Sequence, residues 1–479
     1  MKNLRIFLMA ALFLVVFSSL EGVEADQEPI WKNLTTGEVY SMSTSSDGRY
    51  IVVGTHASKA DSNTTYYPQI LFFEKNNSTP LWSKTTNGLV RDVDISADGE
   101  YIAAVTGIDM YDEDGEDSEA GHVYLFRKSS NIPIIDYTVE NGRAVFSVAI
   151  SEDGEYIAAT THDSPLLSPN NHESILYFFR QNNSEPIWNF TSDYPFGDVG
   201  MSANGDYIVA SDWNNTIYFF TKDNNTPFWN YTLGECDNWE AGACRPLLSM
   251  SENGEYIVAG TGSDGWAEGD WGSMYLFSKE NGTLQWNNTM ESSVVIDISA
   301  DGEYIVVGSW HGEVYLFDKD SSTSLWSYTT ADRVRSVSIS ADGEYIVVGC
   351  GDRTGYLFSK NNPVPTWSFR TGGDGPLVSI SEDGEYIVAG DGAGYGGEVF
   401  LFSTNPTSEI VDSGEDEETL AGQCTCPDGS KGQMVGPVDD DGVDDGCLCG
   451  DSEEEIFLPS VSMIPALISI GLLAIYRRK

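Results

Sequence analysis

Positive charge is scarce in this chain of 479 residues: 25 Lys and Arg stand against 74 Asp and Glu, a formal net charge of -49 at pH 7. Such a surface repels phosphate backbones, which excludes nucleic acid as a partner and favours cations or cationic surfaces. Histidine is rarer still. His56, His122, His162, His172 and His311 are scattered, without His-x-x-x-His or triad-like spacing. The sequence therefore gives no support to metal or nucleophilic catalysis, and a non-catalytic protein is expected. Long hydrophobic runs are confined to the two ends, so no helix is predicted to cross a membrane between them. Aromatic residues are not lacking, at 12% of the chain, which excludes a disordered acidic polymer.

The two ends read as targeting segments. Residues 1–25 combine a basic start (Lys2, Arg5), the apolar run Ile6 to Phe17 and the small-residue stretch Val23-Glu24-Ala25, the pattern of a signal peptide. Residues 456–476 form an uncharged run long enough for a transmembrane helix, and Arg477-Arg478-Lys479 would stay on the cytoplasmic side as the tail. A single-pass cell-membrane protein with its body outside is expected. Acceptors of the form Asn-x-Ser/Thr agree with that placement: Asn33, Asn63, Asn76, Asn77, Asn182, Asn189, Asn214, Asn224, Asn230, Asn281 and Asn287.

Between the ends one sentence recurs eight times, most clearly as Ser299-Ala300-Asp301-Gly302-Glu303-Tyr304-Ile305-Val306-Val307-Gly308. The turn glycines are Gly48, Gly99, Gly154, Gly205, Gly254, Gly302, Gly343 and Gly384, so by subtraction the steps are 51, 55, 51, 49, 48, 41 and 41 residues. Each Asp-Gly or Asn-Gly pair suits a tight turn, because the side chain bonds its own backbone and glycine tolerates positive φ. After each comes a run such as Val314-Tyr315-Leu316-Phe317, a polar turn, a Trp segment such as Leu325-Trp326-Ser327-Tyr328, and an alternating run such as Val334-Arg335-Ser336-Val337-Ser338-Ile339. Four short strands per repeat, apolar on both faces, require cover on both sides, and stacking them around an axis supplies it.

The fold predicted for residues 27–405 is an all-β, eight-bladed β-propeller. Trp31, Trp82, Trp188, Trp229, Trp286, Trp326 and Trp367 mark the fourth strands, with Pro133 to Tyr137 standing in where Trp is missing. No Trp segment follows Phe402, so the strand around Pro29 to Thr35 is expected to complete the last blade and close the ring.

Ser-x-Asp-Gly-x-Tyr-Ile-Val-x-Gly followed by Val-Tyr-Leu-Phe-Asp resembles the WD repeat, with Phe at the usual Trp position of that second run. Gly282-Thr283-Leu284-Gln285-Trp286 resembles the PQQ-like, or quinoprotein, propeller repeat, whose rings commonly have eight blades. Quinoprotein membership would imply an oxidoreductase with a vicinal cysteine pair and a calcium carboxylate set, and no adjacent cysteines occur. The end of the chain, Leu458-Pro459-Ser460 with its apolar span and Arg-Arg-Lys, resembles the C-terminal anchors of archaeal surface proteins. Such tails either stay as anchors or are cut by a sorting enzyme.

Candidate sites gather in the loops other than the Asp-Gly and polar turns, such as 55–68, 107–121, 161–173, 234–245 and 261–272, which carry the length variation and would share the opposite face of the disc. Trp239, Trp266, Trp271 and Trp310, like Trp213, fall outside the blade pattern among carboxylates, where an aromatic platform stacks a sugar or cationic group, or else packs the loops down. Arg91 and Arg335, with Arg143, Arg245 and Arg333, open the innermost strands near the channel mouth, a place to hold an anion or to balance local charge. Asp112, Asp114 and Asp117 form an oxygen-rich loop that suits calcium or simply a solvated charge run.

Cys236 and Cys244 bracket one loop and are expected to pair as a disulfide, while Cys350 reads as a buried thiol. The acidic linker 406–455 holds Cys424, Cys426, Cys447 and Cys449, expected as disulfides around a run with Asp439, Asp441 and Asp444. That run resembles a shortened thrombospondin type 3 repeat, which implies calcium. The function expected is a membrane-anchored binding or scaffold module for an extracellular protein, glycan or cation. The alternatives are a PQQ-like oxidoreductase and a structural component of the cell envelope.

Overall fold

The computed structural model describes residues 27–405 apart from 57, 62–63, 108–119, 140–142, 163–172, 235–245, 262–271, 291 and 393–395. At 58–61 and 64–66 it describes backbone alone, as it does for three short strands, Gln423–Thr425, Lys431–Met434 and Cys447–Leu448. The expected signal peptide, transmembrane helix and tail lie outside the described residues. Among those described, no helix is long and apolar enough to cross a membrane. The chain divides into two compact units, Met1–Pro406 and Thr407–Lys479. The second contains the three short strands as one sheet, with Cys424 and Cys447 on its outer strands.

The first unit holds eight four-stranded antiparallel sheets. Blade 6 shows the plan, with strands Val294–Ile298, Tyr304–Ser309, Glu313–Asp318 and Trp326–Thr329 in sequence order. First strands of successive blades touch one another right round the ring, so they line the central channel. Blade 8 takes Leu377–Ile380, Tyr386–Gly392 and Gly397–Ser403 from the end of the repeats and its fourth strand, Trp31–Thr35, from the start. Trp31 pairs with Leu401, and Thr35 with Gly397. The predicted closure by the N-terminal strand is the observed one.

The repeated turn explains itself atom by atom. In blade 6 the Ser299 hydroxyl donates to Asp301 Oδ1 at 2.7 Å and accepts from the Tyr304 amide at 3.0 Å, and Asp301 Oδ1 also accepts from the Glu303 amide. The same serine bonds recur in all eight blades. Glycine is required twice over at the turn: φ lies between 61° and 76°, and a Cβ on Gly302 would come within 2.6 Å of Tyr256 from the preceding blade.

Blades are joined by a second repeated device. The indoles of Trp31, Trp82, Trp188, Trp229, Trp286, Trp326 and Trp367 each donate to the carbonyl of the residue that follows the third strand of the next blade, at 2.6 to 3.2 Å. In six joints that residue is a lysine. Five of these lysines also set the ammonium over a tyrosine ring of the preceding blade, Lys75 over Tyr386 at 4.1 Å being the closest. Much of the scarce positive charge is thus placed at the seams. At the joint after blade 2 the missing Trp is replaced by buried Ile135 and by Tyr137, edge-on to Phe179 at 5.2 Å.

Candidate functional site at the two mouths of the channel

The residue between Ser and Asp or Asn of each turn faces the axis. Its amide donates to the carbonyl of its counterpart in the next blade: Ser46 to Ala97, Ala97 to Glu152, Glu152 to Ala203, Ala203 to Glu252, Glu252 to Ala300, Ala300 to Ala341, and Ala341 to Glu382. Asp383 N to Ser46 O at 3.1 Å closes the circle. At this mouth the Glu152, Glu252 and Glu382 carboxylates converge, with one oxygen of each within 4.8 Å of the others. Burial, then the charges of Glu152 and Glu382, pushes Glu252 up to about 7; burial, followed by Glu382, also raises Glu152. Three oxygens so placed could share a proton or contribute to the shell of a hard divalent cation such as calcium.

Inside the channel, carboxylates tie neighbouring blades. Asp92 accepts from Ser41 of blade 1, from its own neighbour Val93, and from Ser147 and Val148 of blade 3. Asp94 likewise joins Ser43 to Ile150, and Asp297 joins Ser249 to Ile339. Burial pushes Asp92 up to about 7 and Asp94 up to about 6, and raises Asp297 as well, against hydrogen bonds that pull each down. All three retain partial exposure toward the channel, so burial here means enclosure by the inner strands rather than complete removal from water.

The opposite mouth carries the arginines. Arg91 is buried with its guanidinium 5.9 Å from the centroid of Tyr40, on which His56 stacks at 3.6 Å. Burial, then the Arg91 charge, holds the imidazole of His56 down to about 3, so it is neutral at pH 7. Arg335 donates from Nη1 to the Asp374 carbonyl at 2.7 Å; burial and then neighbouring Arg333 lower its pKa. Arg333 lies 5.0 Å from the centroid of half-buried Trp310. Buried Arg143 faces Glu173 at 3.9 Å.

Of the expected site residues, the structure therefore sets Arg91, Arg335 and Trp310 around one mouth, each beside a different partner. Trp213 is a packing residue, 8% exposed and 4.4 Å from the His162 ring. Trp239, Trp266, Trp271, Asp112, Asp114, Asp117, Asp439, Asp441 and Asp444 lie outside the described residues, as do Arg245, Cys236, Cys244, Cys426 and Cys449. Cys350 is a free, buried thiol whose Sγ lies 3.1 Å from the Asp332 carbonyl, and burial raises its pKa.

One His–carboxylate pair escaped the spacing search, because strand pairing rather than sequence brings it together. His122 Nδ1 lies 2.7 Å from Asp136 Oδ1 and 3.5 Å from Thr138 Oγ1. Hydroxyl and carboxylate share one ring nitrogen, whereas a relay needs them on opposite nitrogens. The Glu cluster was also missed, although its signal is plain: Ser-Glu-Asp-Gly at 151–154 and 381–384 and Ser-Glu-Asn-Gly at 251–254, where four other repeats have Ser-Ala. Two clefts, of about 380 and 390 Å³, lie between blades 5 and 6 beside Glu313 and between blades 4 and 5 beside Phe228, away from both mouths.

A family model described as outer membrane protein assembly factor BamB, of the PQQ-like repeat type, matches residues 271–408. Among solved structures, the C-terminal WD40 domain of Sif2 is similar with a TM-score of 0.59 at 16% identity, over 80% of this chain and 100% of that one. No curated protein matches the sequence. The first likeness covers the last blades and the second shows the fold alone. With the eight closed sheets, they make the chain a β-propeller that is similar to PQQ-like repeats over residues 271–408.

Proposed function

We propose that this protein is a membrane-anchored, non-catalytic binding module of the cell surface, which takes an anionic group of an extracellular glycan at the arginine-lined mouth. The observation that carries this reading is that Arg91, Arg143, Arg333 and Arg335 stand at the heads of the inner strands of blades 2, 3 and 7, on one face of a protein with net charge -49. Guanidinium matches carboxylate or sulfate in planar geometry, and Trp310 beside Arg333 offers a face on which a sugar ring stacks. The turn-face mouth, with its three carboxylates, repels the same ligand. At physiological salt the Debye length is about 8 Å, so remote carboxylates are screened while a ligand in contact with the arginines is not. The terminal segments 1–25 and 456–476 support export and anchorage, and the family description, an assembly factor, agrees with a role exercised by binding.

The test has two parts. External protease should remove the propeller from intact cells. Purified full-length protein in detergent should bind polygalacturonate, a uronic-acid polymer, and not neutral dextran, with at least about a tenfold loss in Arg91→Ala/Arg335→Ala, the scale of one or two charge-assisted contacts. Equal binding of both polymers would reject the anionic ligand, and full protection from protease would reject the surface placement.

A further inference from the structure

We infer that the outer rim of blades 3, 4 and 5 is a glycan-bearing arc, modified at Asn182, Asn189, Asn224, Asn230, Asn281 and Asn287. Asn189, Asn230 and Asn287 each follow the joint tryptophan directly, on the fourth strands Trp188–Ser192, Trp229–Thr232 and Thr283–Met290. These are edge strands, and the period of two puts each Asn on the same outward face as the hydroxyl residue of its own acceptor motif, Thr191, Thr232 and Thr289. All six of those side chains are exposed. Asn182, Asn224 and Asn281 lie beside the turn into the same three strands and are exposed together with Ser184, Thr226 and Thr283. None of the six asparagines uses its Nδ2 in a hydrogen bond among the described residues.

The fold does not demand asparagine there. The position after the joint residue is Ser83 in blade 1, Asp136 in blade 2, Ser327 in blade 6, Ser368 in blade 7 and Lys32 in blade 8. Blades 2, 6 and 7 contain no acceptor motif at all. Blade 1 has the overlapping, exposed pair Asn76 and Asn77 in its rim turn but Ser83 on the strand, whereas blades 3, 4 and 5 carry one motif in the turn and one on the strand of their rims. Two further motifs serve as internal controls: Asn33 is half-buried and donates from Nδ2 to the Ser78 carbonyl at 2.8 Å, and half-buried Asn214 sits beside buried Trp213.

The modification is a group transfer from a lipid-phosphate-activated oligosaccharide. The amide nitrogen attacks the anomeric carbon, and the new C–N bond forms as the C–O bond to phosphate breaks. The proton lost from nitrogen passes to a basic group of the transferring enzyme, and the lipid phosphate leaves with the electron pair of the broken bond. The inference rests on the surface placement proposed above.

The experiment is mass spectrometry of peptides from the full-length protein purified from its own cells, alongside the protease test of placement. The expected result is a common glycan mass on the peptides of all six arc asparagines, unmodified mass at Asn33 and Asn214, and loss of one glycan mass in each of Asn189→Gln, Asn230→Gln and Asn287→Gln. Unmodified arc peptides from a surface-exposed chain would overturn the arc alone. Unmodified peptides from a chain protected inside the cell would overturn both arc and placement. Occupancy at Asn33 and Asn214 equal to that of the arc would overturn the selection by exposure.

Discussion

The two faces of this disc are made by the same strands and differ in what their polar groups do. On the turn face each serine, aspartate or asparagine, and backbone amide answers another in a unit repeated eight times, and the axial amides close a hydrogen-bonded ring. On the loop face a Thr or Ser at the end of the second strand accepts from an amide at the start of the third in five blades. The arginines there follow no repeat: Arg91 lies over Tyr40, Arg333 over Trp310, and Arg335 reaches the Asp374 carbonyl. The turn face carries a unit repeated in every blade, whereas on the loop face only the strand ends are tied in a partial repeat and the loops beyond them vary in length and sequence.

Substitutions should separate the faces by the size of their effect on stability. The largest is expected from deleting residues 27–36, which removes Trp31 from its seam and bares the edge of Gly397–Ser403. Truncating a buried Trp alone costs roughly 3–5 kcal/mol, and an exposed strand edge promotes association. Calorimetry should show a much lower melting temperature, with aggregation on heating; an unchanged transition would contradict closure by this strand. Next comes Ser340→Ala, which leaves the Tyr345 amide without its acceptor in a buried turn. It should cost about 1–3 kcal/mol in denaturant unfolding, and a smaller loss would mean that the turn tolerates its absence.

Acidity sharpens the comparison through the carboxylates. The folded-state values of Asp92 (about 7), Asp94 (about 6) and Glu252 (about 7) lie above the ordinary carboxylate range. The folded protein therefore holds protons that the unfolded chain has released, between roughly pH 7 and pH 4. Stability should rise as pH falls from 8 to 5, and a melting temperature that drops over this interval would contradict the assignment. Glu252→Gln should stabilise the protein at pH 8 by about 0.5–1 kcal/mol, a figure reduced for the partial exposure of the group, and change little at pH 5. Arg335→Ala, on the loop face, should alter stability by only about 0.5 kcal/mol or less.

The eight blades and the closing strand were legible because they rest on local chemistry: Asp-Gly or Asn-Gly turns, alternation, and a Trp in seven of the eight fourth strands. Why each Trp matters was not, since its hydrogen bond reaches a lysine carbonyl 33 to 50 residues away in the six joints whose partner is a lysine. The Glu cluster needed closure of the ring to bring residues 152, 252 and 382 to one axis. The arginines were found by their place at the head of inner strands. That the Arg91 guanidinium sits 5.9 Å from the centroid of Tyr40, itself stacked on His56, depends on aromatic packing that spacing does not encode.

The most direct test of the division between faces is the affinity for polygalacturonate of Arg91→Ala/Arg335→Ala beside that of Glu252→Gln, with each variant first shown to melt cooperatively. The account predicts at least about a tenfold loss in the first and wild-type affinity in the second. Retained affinity in the first with loss in the second would place binding at the turn-face mouth and contradict it.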